Sequence, residues 1–351
     1  MLLTLFKQHI FTNLKRFMAD SIEEKMKYLS KRYGFLNRGK GGVIWDKLNS
    51  VLESFLSGNT LVAYSDFYNL FQENISEMRK CTIHIKDEFY RMRKGENAMT
   101  EYTNDKDMGH IPFELNHLVG NERYSMSGIP SLYLSSSLYT CWEELHRPHF
   151  EYASCALFKA QEDFLVLDLT NQEHYHFTDS VFSDCLTLAC SLQVSHPTAP
   201  FKSEYIIPQI LLQSLVRYNK ENVGSRILGI KYTSIHVKDK SLWVSFPENK
   251  KNKKLFFNYV FPAFDRKPNG TSDRLNKLFQ FWNSITYNKV KLMTPDYKVN
   301  SPNNRYQESM FGIMEDRLKN MSLYGMLLYD SDCPKGALTF KNGKYVFFIS
   351  D

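Results

Sequence analysis

Apolar residues in the first part of the chain recur at helical spacing. Ile44, Leu48, Val51, Leu52 and Phe55 share one face of a helix that starts at about Val43 and ends near Gly58. Before it, Asp20-Ser21 followed by Glu24 has the form of a capping box, with Gly34 as a stop signal. A third helix begins near Asn59 and carries Leu61, Phe67, Leu70, Phe71, Ile75 and Met78. From about residue 83 the pattern shortens to β-rich runs separated by helices. Thr82–Ile85, Phe89–Met92, Pro130–Leu134, Ser154–Phe158, Phe164–Leu169, Leu228–Tyr232, Leu242–Phe246 and Leu255–Val260 read as strands. Ser137–His146 and Pro208–Tyr218 read as helices, with Pro208 suited to a first turn. Sequence-adjacent strands among helices predict an α+β fold with a mixed sheet, not a doubly wound one.

Beyond Pro262, the segment Arg266-Lys-Pro-Asn-Gly-Thr-Ser272 reads as a linker. A helix carrying Leu275, Leu278, Phe279, Trp282 and Ile285 follows. Asn342-Gly343, between Ala337–Phe340 and Tyr345–Ile349, is a two-residue hairpin signal. The expected organisation is a helical region over 1–82, a central domain over 83–265 and a C-terminal α/β extension over 266–351. The N-terminal helices hold nothing that reads as catalytic, so they are expected to bind a partner or to regulate.

Composition removes several function classes. At 43% hydrophobic and 23% charged, the 351 residues suit a globular chain and exclude a disordered or low-complexity one. No apolar run is long enough for a membrane span. Met1-Leu-Leu-Thr-Leu-Phe6 is interrupted by Lys7, Gln8 and His9 and lacks the parts of a signal peptide, so a cytoplasmic location is expected. Cys81, Cys141, Cys155, Cys185, Cys190 and Cys333 form neither a CxxC pair nor a Cys/His cluster, which predicts reduced thiols and no metal site. The net charge of +6 permits an anionic partner. The run Lys250-Lys251-Asn252-Lys253-Lys254 reads as a solvated loop in preference to a nucleic-acid patch. Neither a Gly-x-Gly-x-x-Gly nor a Walker sequence is present.

The chemically informative stretch runs from Arg123 through Gly128 and Tyr133 to Glu143-Glu144. A basic residue leads into a glycine turn, then a strand ending at Tyr133, then a helix bearing carboxylates. Polar groups converging at a strand–helix junction suit a pocket wall. Spacing alone leaves a second reading open, in which Glu144 and Arg123 are a surface ion pair. His110, His117, His146 and His149 flank the block without a Cys–His or metal-ligand arrangement, and read as surface or structural residues.

This stretch resembles the RES domain, a family named for its Arg, Glu and Ser. The family pattern places a Leu-Tyr strand end ten residues beyond the Arg and a Glu eleven further on, as Arg123, Tyr133 and Glu144 do here. The Ser lies in Gly229-Ile-Lys-Tyr232-Thr-Ser234, which resembles the family's Gly-Ile-x-Tyr-x-Ser strand. Tyr205-Ile-Ile-Pro-Gln209 resembles its helix entry, and Phe89-Tyr90-Arg91-Met-Arg93 its opening Tyr-Arg strand. The four blocks fall in order over roughly residues 85 to 262. Short members carry Trp-Asn after the Arg where this chain has Tyr124-Ser125, so the aromatic is kept and the amide lost.

The resemblance implies a fold similar to ADP-ribosyltransferases and a toxin that consumes NAD⁺. Cleavage would fall at the nicotinamide–ribose bond, by phosphate or water. Protein ADP-ribosyl transfer is the alternative, and a non-catalytic protein- or nucleic-acid-binding module a further one. NAD⁺ is then a substrate, inorganic phosphate a possible co-substrate, and no metal is called for. Short members pair with an Xre-type antitoxin, so such a partner or another regulatory protein is expected. Carried onto this sequence, Glu144, Arg123, Tyr133 and Ser234 would be catalytic, and Arg91, Arg93, Tyr124 and Gln209 would bind substrate. A carboxylate suits the oxocarbenium-like ribosyl centre, and guanidinium forks suit a pyrophosphate.

Overall fold

The computed structural model describes residues 21–94, 108–149, 152–170, 180–222, 224–236, 256–281, 284–286, 311–319, 336–341 and 344–349. Ser21 opens α1 (Ile22–Arg32) with a complete capping box: its hydroxyl accepts from the Glu24 N–H, and the Glu24 carboxylate accepts from the Ser21 N–H. This satisfies donors that a helix start otherwise leaves unpaired. The chain then folds back through a 3₁₀ turn, Gly34–Asn37. The second helix, α2 (Gly39–Leu56), starts earlier than its apolar pattern predicts. A Cβ on Gly41 would sit 2.3 Å from the Phe35 carbonyl oxygen, so only glycine lets the turn lie against the helix's first residues. The helical bundle continues with α3 (Thr60–Asn74), which follows Asn59.

The strands are β1 (Lys80–Ile83), β2 (Glu88–Lys94), β3 (Ser131–Ser135), β4 (Ala153–Ala160), β5 (Phe164–Leu169), β6 (Ile227–Thr233), β7 (Phe257–Pro262), β8 (Phe279–Phe281) and β9 (Ile285–Thr286). They form one mixed sheet in the order β1-β5-β6-β7-β3-β2-β4-β8, with β9 also on β4. Only β5 and β6 run parallel among these pairs. Between the strands lie α4 (Leu138–Glu144), α5 (Val181–Cys190) and α6 (Ile206–Glu221), and α7 (Asp273–Leu278) precedes β8. The fold is α+β. Separately, β10 (Gly336–Lys341) pairs antiparallel with β11 (Lys344–Ile349), with Lys341 opposite Lys344; Asn342-Gly343 lies outside the described residues.

One sheet face carries Leu167, Leu169, Ile230 and Val260 into a core with Trp45, Leu48, Phe67 and Phe71 of α2 and α3, Phe182 and Leu186 of α5, and Ile210 and Leu211 of α6. The N-terminal helices thus share their core with the sheet. The other face packs Leu134, Phe158, Tyr259 and Phe261 against Leu275, Leu278 and Phe279.

Three elements differ from the sequence reading. Residues 266–272 are not a loose linker: Arg266 bridges Ser272, and the Lys267 N–H donates to the Thr271 carbonyl in a closed turn. The helix expected through Ile285 stops at Leu278, because Phe279–Phe281 pair with the edge of β4 and place Phe279 in the aromatic core. The unexpected helix is α5, almost every residue of which is buried, so no amphipathic stripe announces it. The expected strand Leu242–Phe246, the basic run at 250–254, Met1–Phe6 and Cys333 lie outside the described residues. Cys141, Cys155, Cys185 and Cys190 are buried free thiols, and Cys81 is a half-buried one.

Candidate active site

Glu144 is the last residue of α4, and sheet register decides what it meets. Ser135 of β3, Asn258 of β7 and Tyr232 of β6 lie directly opposite one another in a row. Alternation puts Tyr133 on the same face as Ser135, and carries Ser234 to that side beyond the end of β6. From Ser135 the chain turns into α4. The Ser137 hydroxyl caps it by accepting from the Thr140 N–H, and the Leu138 N–H donates to Glu315 Oε1 at 2.7 Å. The helix is seven residues long, so its C-terminal carboxylate reaches back over the sheet row.

The Ser234 hydroxyl donates to Glu144 Oε1 at 2.5 Å, and Asn258 Nδ2 donates to the same oxygen at 2.7 Å. Asn258 is itself oriented by Ser135, whose hydroxyl donates to Oδ1 at 2.6 Å. The other oxygen, Glu144 Oε2, faces His236 Nε2 at 3.8 Å, and the His236 ring packs edge-on to His146. Glu144 stays 29% exposed, enough for a ligand to reach it. Its neighbour Glu143 is buried, takes both nitrogens of an Arg147 fork and accepts from the Tyr139 hydroxyl. Geometry therefore separates the adjacent carboxylates: one braces the helix end and the other faces the site.

The remaining candidates take other partners. Tyr133 shares a hydrogen bond of 2.8 Å between its hydroxyl and that of Ser125, and burial pushes its phenol above the ordinary range. Tyr124 is buried with its ring 4.8 Å from that of Tyr232, and burial raises both phenols. Gln209, in the first turn of α6, donates to Asn121 Oδ1 and to the carbonyls of Glu122 and Ser125, so it braces the loop that carries Arg123. Arg123 is buried. Its Nη1 donates to the carbonyls of Cys190 and Leu192 at 2.8 and 3.0 Å, and its guanidinium lies over the Tyr205 ring.

Arg91 occupies a gap in the sheet. Strands β2 and β3 pair only at Tyr90 and Ser135, and beyond that point Arg91 Nη1 donates to the Tyr133 carbonyl at 2.8 Å. Its Nε is buried without a partner, and no carboxylate pairs with it among the described residues. Burial, then the charge of Arg93, bring its guanidinium down to about 10. Arg93 sits two residues along β2 and is exposed.

Sequence reasoning missed Asn258 and His236. Asn258 follows Leu255-Phe256-Phe257 in an apolar run, where a single amide is the one polar interruption. That interruption in a central strand was the available signal. Among the described residues, no group of three His, Cys, Asp or Glu converges as a metal site would need. No helix among them is long and apolar enough to cross a membrane.

The chain is similar to a Bacillus subtilis (strain 168) protein named "Putative toxin YopC", with 31% identity over 268 residues that make up 69% of this chain and 57% of that one. The chain thus spans little more than half the length of that relative. No family model matches, and no solved structure does.

Proposed function

We propose that this protein is an NAD⁺-consuming enzyme, a phosphorylase or glycohydrolase that cleaves the nicotinamide–ribose bond and acts as a growth-arresting toxin. The observation that carries this reading is the pinned carboxylate: Glu144 Oε1 held by Ser234 and Asn258, with the residue part-exposed and Oε2 3.8 Å from His236 Nε2. Nicotinamide leaves a cationic pyridinium as a neutral molecule and needs no general acid. The barrier is formation of an oxocarbenium-like ribosyl centre, which a fixed carboxylate stabilises without reorganising. Ser234 and Asn258 hold the charge in place, and Oε2 can accept from a ribose hydroxyl. Arg91, half-buried and without a counter-charge among the described residues, suits a pyrophosphate oxygen, and the half-buried rings of Tyr133 and Tyr232 offer flat surfaces for a ring. The RES-like spacing of the four blocks supports the substrate, and the name of the Bacillus relative supports the toxin role. An Xre-type antitoxin fits the same reading as a partner.

The test is incubation of the purified chain with NAD⁺, with and without phosphate, followed by product identification. Phosphorolysis gives ADP-ribose-1″-phosphate at a rate that rises with phosphate, whereas hydrolysis gives ADP-ribose at a rate that does not. Glu144→Gln keeps size and removes charge, and is expected to lower turnover by on the order of a hundredfold or more. Glu162→Gln, which alters an exposed pair with Arg226, is the control. Glu143→Gln is unsuitable as a control, because it would disrupt a buried carboxylate that holds the Arg147 fork and the Tyr139 hydroxyl. Absence of nicotinamide release, or undiminished release by Glu144→Gln, rejects the reading. Label passing from NAD⁺ to a protein replaces it with ADP-ribosyl transfer.

A further inference from the structure

Lys25 of α1 is 2% exposed, which is rare for a lysine and costly unless its charge is met in full. All of its partners lie in one stretch far along the chain. Nζ donates to the Gln193 carbonyl at 2.6 Å, to Ser195 Oγ at 2.6 Å and to Glu204 Oε1 at 2.5 Å. Glu204 is 4% exposed, and its Oε1 also accepts from the Ser195 N–H at 3.0 Å. Burial works against its ionisation, but the Lys25 ammonium and backbone N–H groups hold the carboxyl below the ordinary range. A buried ion pair whose three ammonium protons all have partners fixes a chain path more than it adds stability.

That path is the connection between α5 and α6, and its two ends hold Arg123. Nη1 of Arg123 donates to the carbonyls of Cys190 and Leu192 at one end. At the other, the ring of Tyr205, which follows Glu204 directly, lies under the guanidinium at 5.0 Å. One ammonium from the N-terminal helix thus ties together the segment that grips a site arginine, while touching nothing in the site itself.

We infer that Lys25 is a positioning residue: through Gln193, Ser195 and Glu204 it sets the 190–205 connection, and through that the placement of Arg123. The inference rests on the proposed NAD⁺ chemistry only for its kinetic readout. It also gives the helical region a task, since movement of α1 by any partner would be felt at Arg123.

Lys25→Met alone strands a buried carboxylate and can fail to fold, so the decisive variant is Lys25→Met with Glu204→Gln, which buries no net charge. If Arg123 helps to hold the pyrophosphate, as the RES-like pattern implies, it meets charge present before and during reaction, so the folded double variant is expected to raise KM for NAD⁺ by on the order of tenfold with kcat changed far less. Adding Arg123→Ala to it should then cost much less than Arg123→Ala costs in the wild type. Amide hydrogen exchange reads the same coupling without any assumed reaction. Residues 121–126 should lose protection in the double variant, although none of them contacts Lys25. Unchanged protection there, with only α1 and 193–204 loosened, overturns the inference. So does full additivity with Arg123→Ala in an active enzyme. Failure of NAD⁺ turnover in the wild type would instead strike the proposed function and leave the exchange result standing.

Discussion

At the scale of single residues, the proposed site centres on Glu144, a carboxylate whose position depends on two neutral donors. A hydrogen bond to a charged group contributes about 1.5–3 kcal/mol, so Ser234→Ala or Asn258→Ala should lower kcat/KM roughly ten- to a hundred-and-fifty-fold. Asn258→Ala should be the more severe, because it also leaves the buried Ser135 hydroxyl without its acceptor. Steady-state kinetics of nicotinamide release checks both. Arg91 makes a different expectation. Its folded-state value of about 10 lies below the ordinary 12.5, so the unfolded chain holds that proton more tightly. Stability therefore rises with pH only between those two values, and at neutral pH the whole burial cost is present. Removing the charge with Arg91→Met should raise the melting temperature at pH 7 while weakening NAD⁺ binding. A bound anion offsets the same cost, so saturating NAD⁺ should shift the wild-type melting point more than the variant's. A variant that melts lower, with unchanged affinity, would show that Arg91 is a structural residue.

Elements matter here because they deliver side chains to one place. Strand β6 carries Ile230 into the helical core, Tyr232 into the site row, and then leads to Ser234. Gly229 at its centre has a packing reason: a Cβ there would lie 2.5 Å from the Phe261 ring and 2.7 Å from the Val260 carbonyl oxygen. Gly229→Ala must push β6 away from β7, the two strands that supply Ser234 and Asn258. Overpacking of this kind costs roughly 1–3 kcal/mol, and here it should also lower turnover more than a surface change of equal cost. Thermal melts set beside turnover will tell the two effects apart. Helix α4 is braced from both sides in the same spirit. Its first N–H is taken by Glu315, and Phe311 packs on Tyr139 and Trp142, so the helical segment 311–319 holds the element that ends in Glu144.

On the scale of the whole molecule, the helices α1 to α3 are joined to the sheet by a continuous core. Trp45, Leu48, Phe67 and Phe71 pack with Phe182, Leu186, Ile210 and Leu211, and Lys25 and Tyr68 add polar ties to Glu204 and Glu221. A chain begun at residue 79 would expose one face of α5 and α6 to water. At roughly 25 cal/mol for each Å² of apolar surface, that loss exceeds the few kcal/mol by which a domain is stable. Such a truncation is expected to be insoluble, or to bind a hydrophobic dye and melt without a cooperative transition. A soluble, cooperatively melting product would show that the helical region is a separate unit.

The sequence by itself determined the α+β class, most strands to within a few residues, the α1 capping box and the spacing that singles out Glu144. Each of these is written in local patterns: a period of two or of 3.6, a cap, a turn pair, a motif. The pairing of Glu144 with Ser234 and Asn258 was not legible, because it joins positions ninety and more residues apart. Nor was α5, whose burial on all sides removes the polar face that marks a helix. The helix expected through Ile285 gave way to β8 because an open edge of β4 offered backbone partners that no local propensity records. Arg123 and Glu144, which spacing alone left open as an ion pair, take separate partners in the folded chain. Only the tertiary structure decides such matters, since hydrogen-bond partners and core contacts are set by what the folded chain brings near. Lys25 shows this most plainly: in the sequence it is one lysine of an amphipathic helix, and its buried charge acquires meaning only from Glu204, far along the chain.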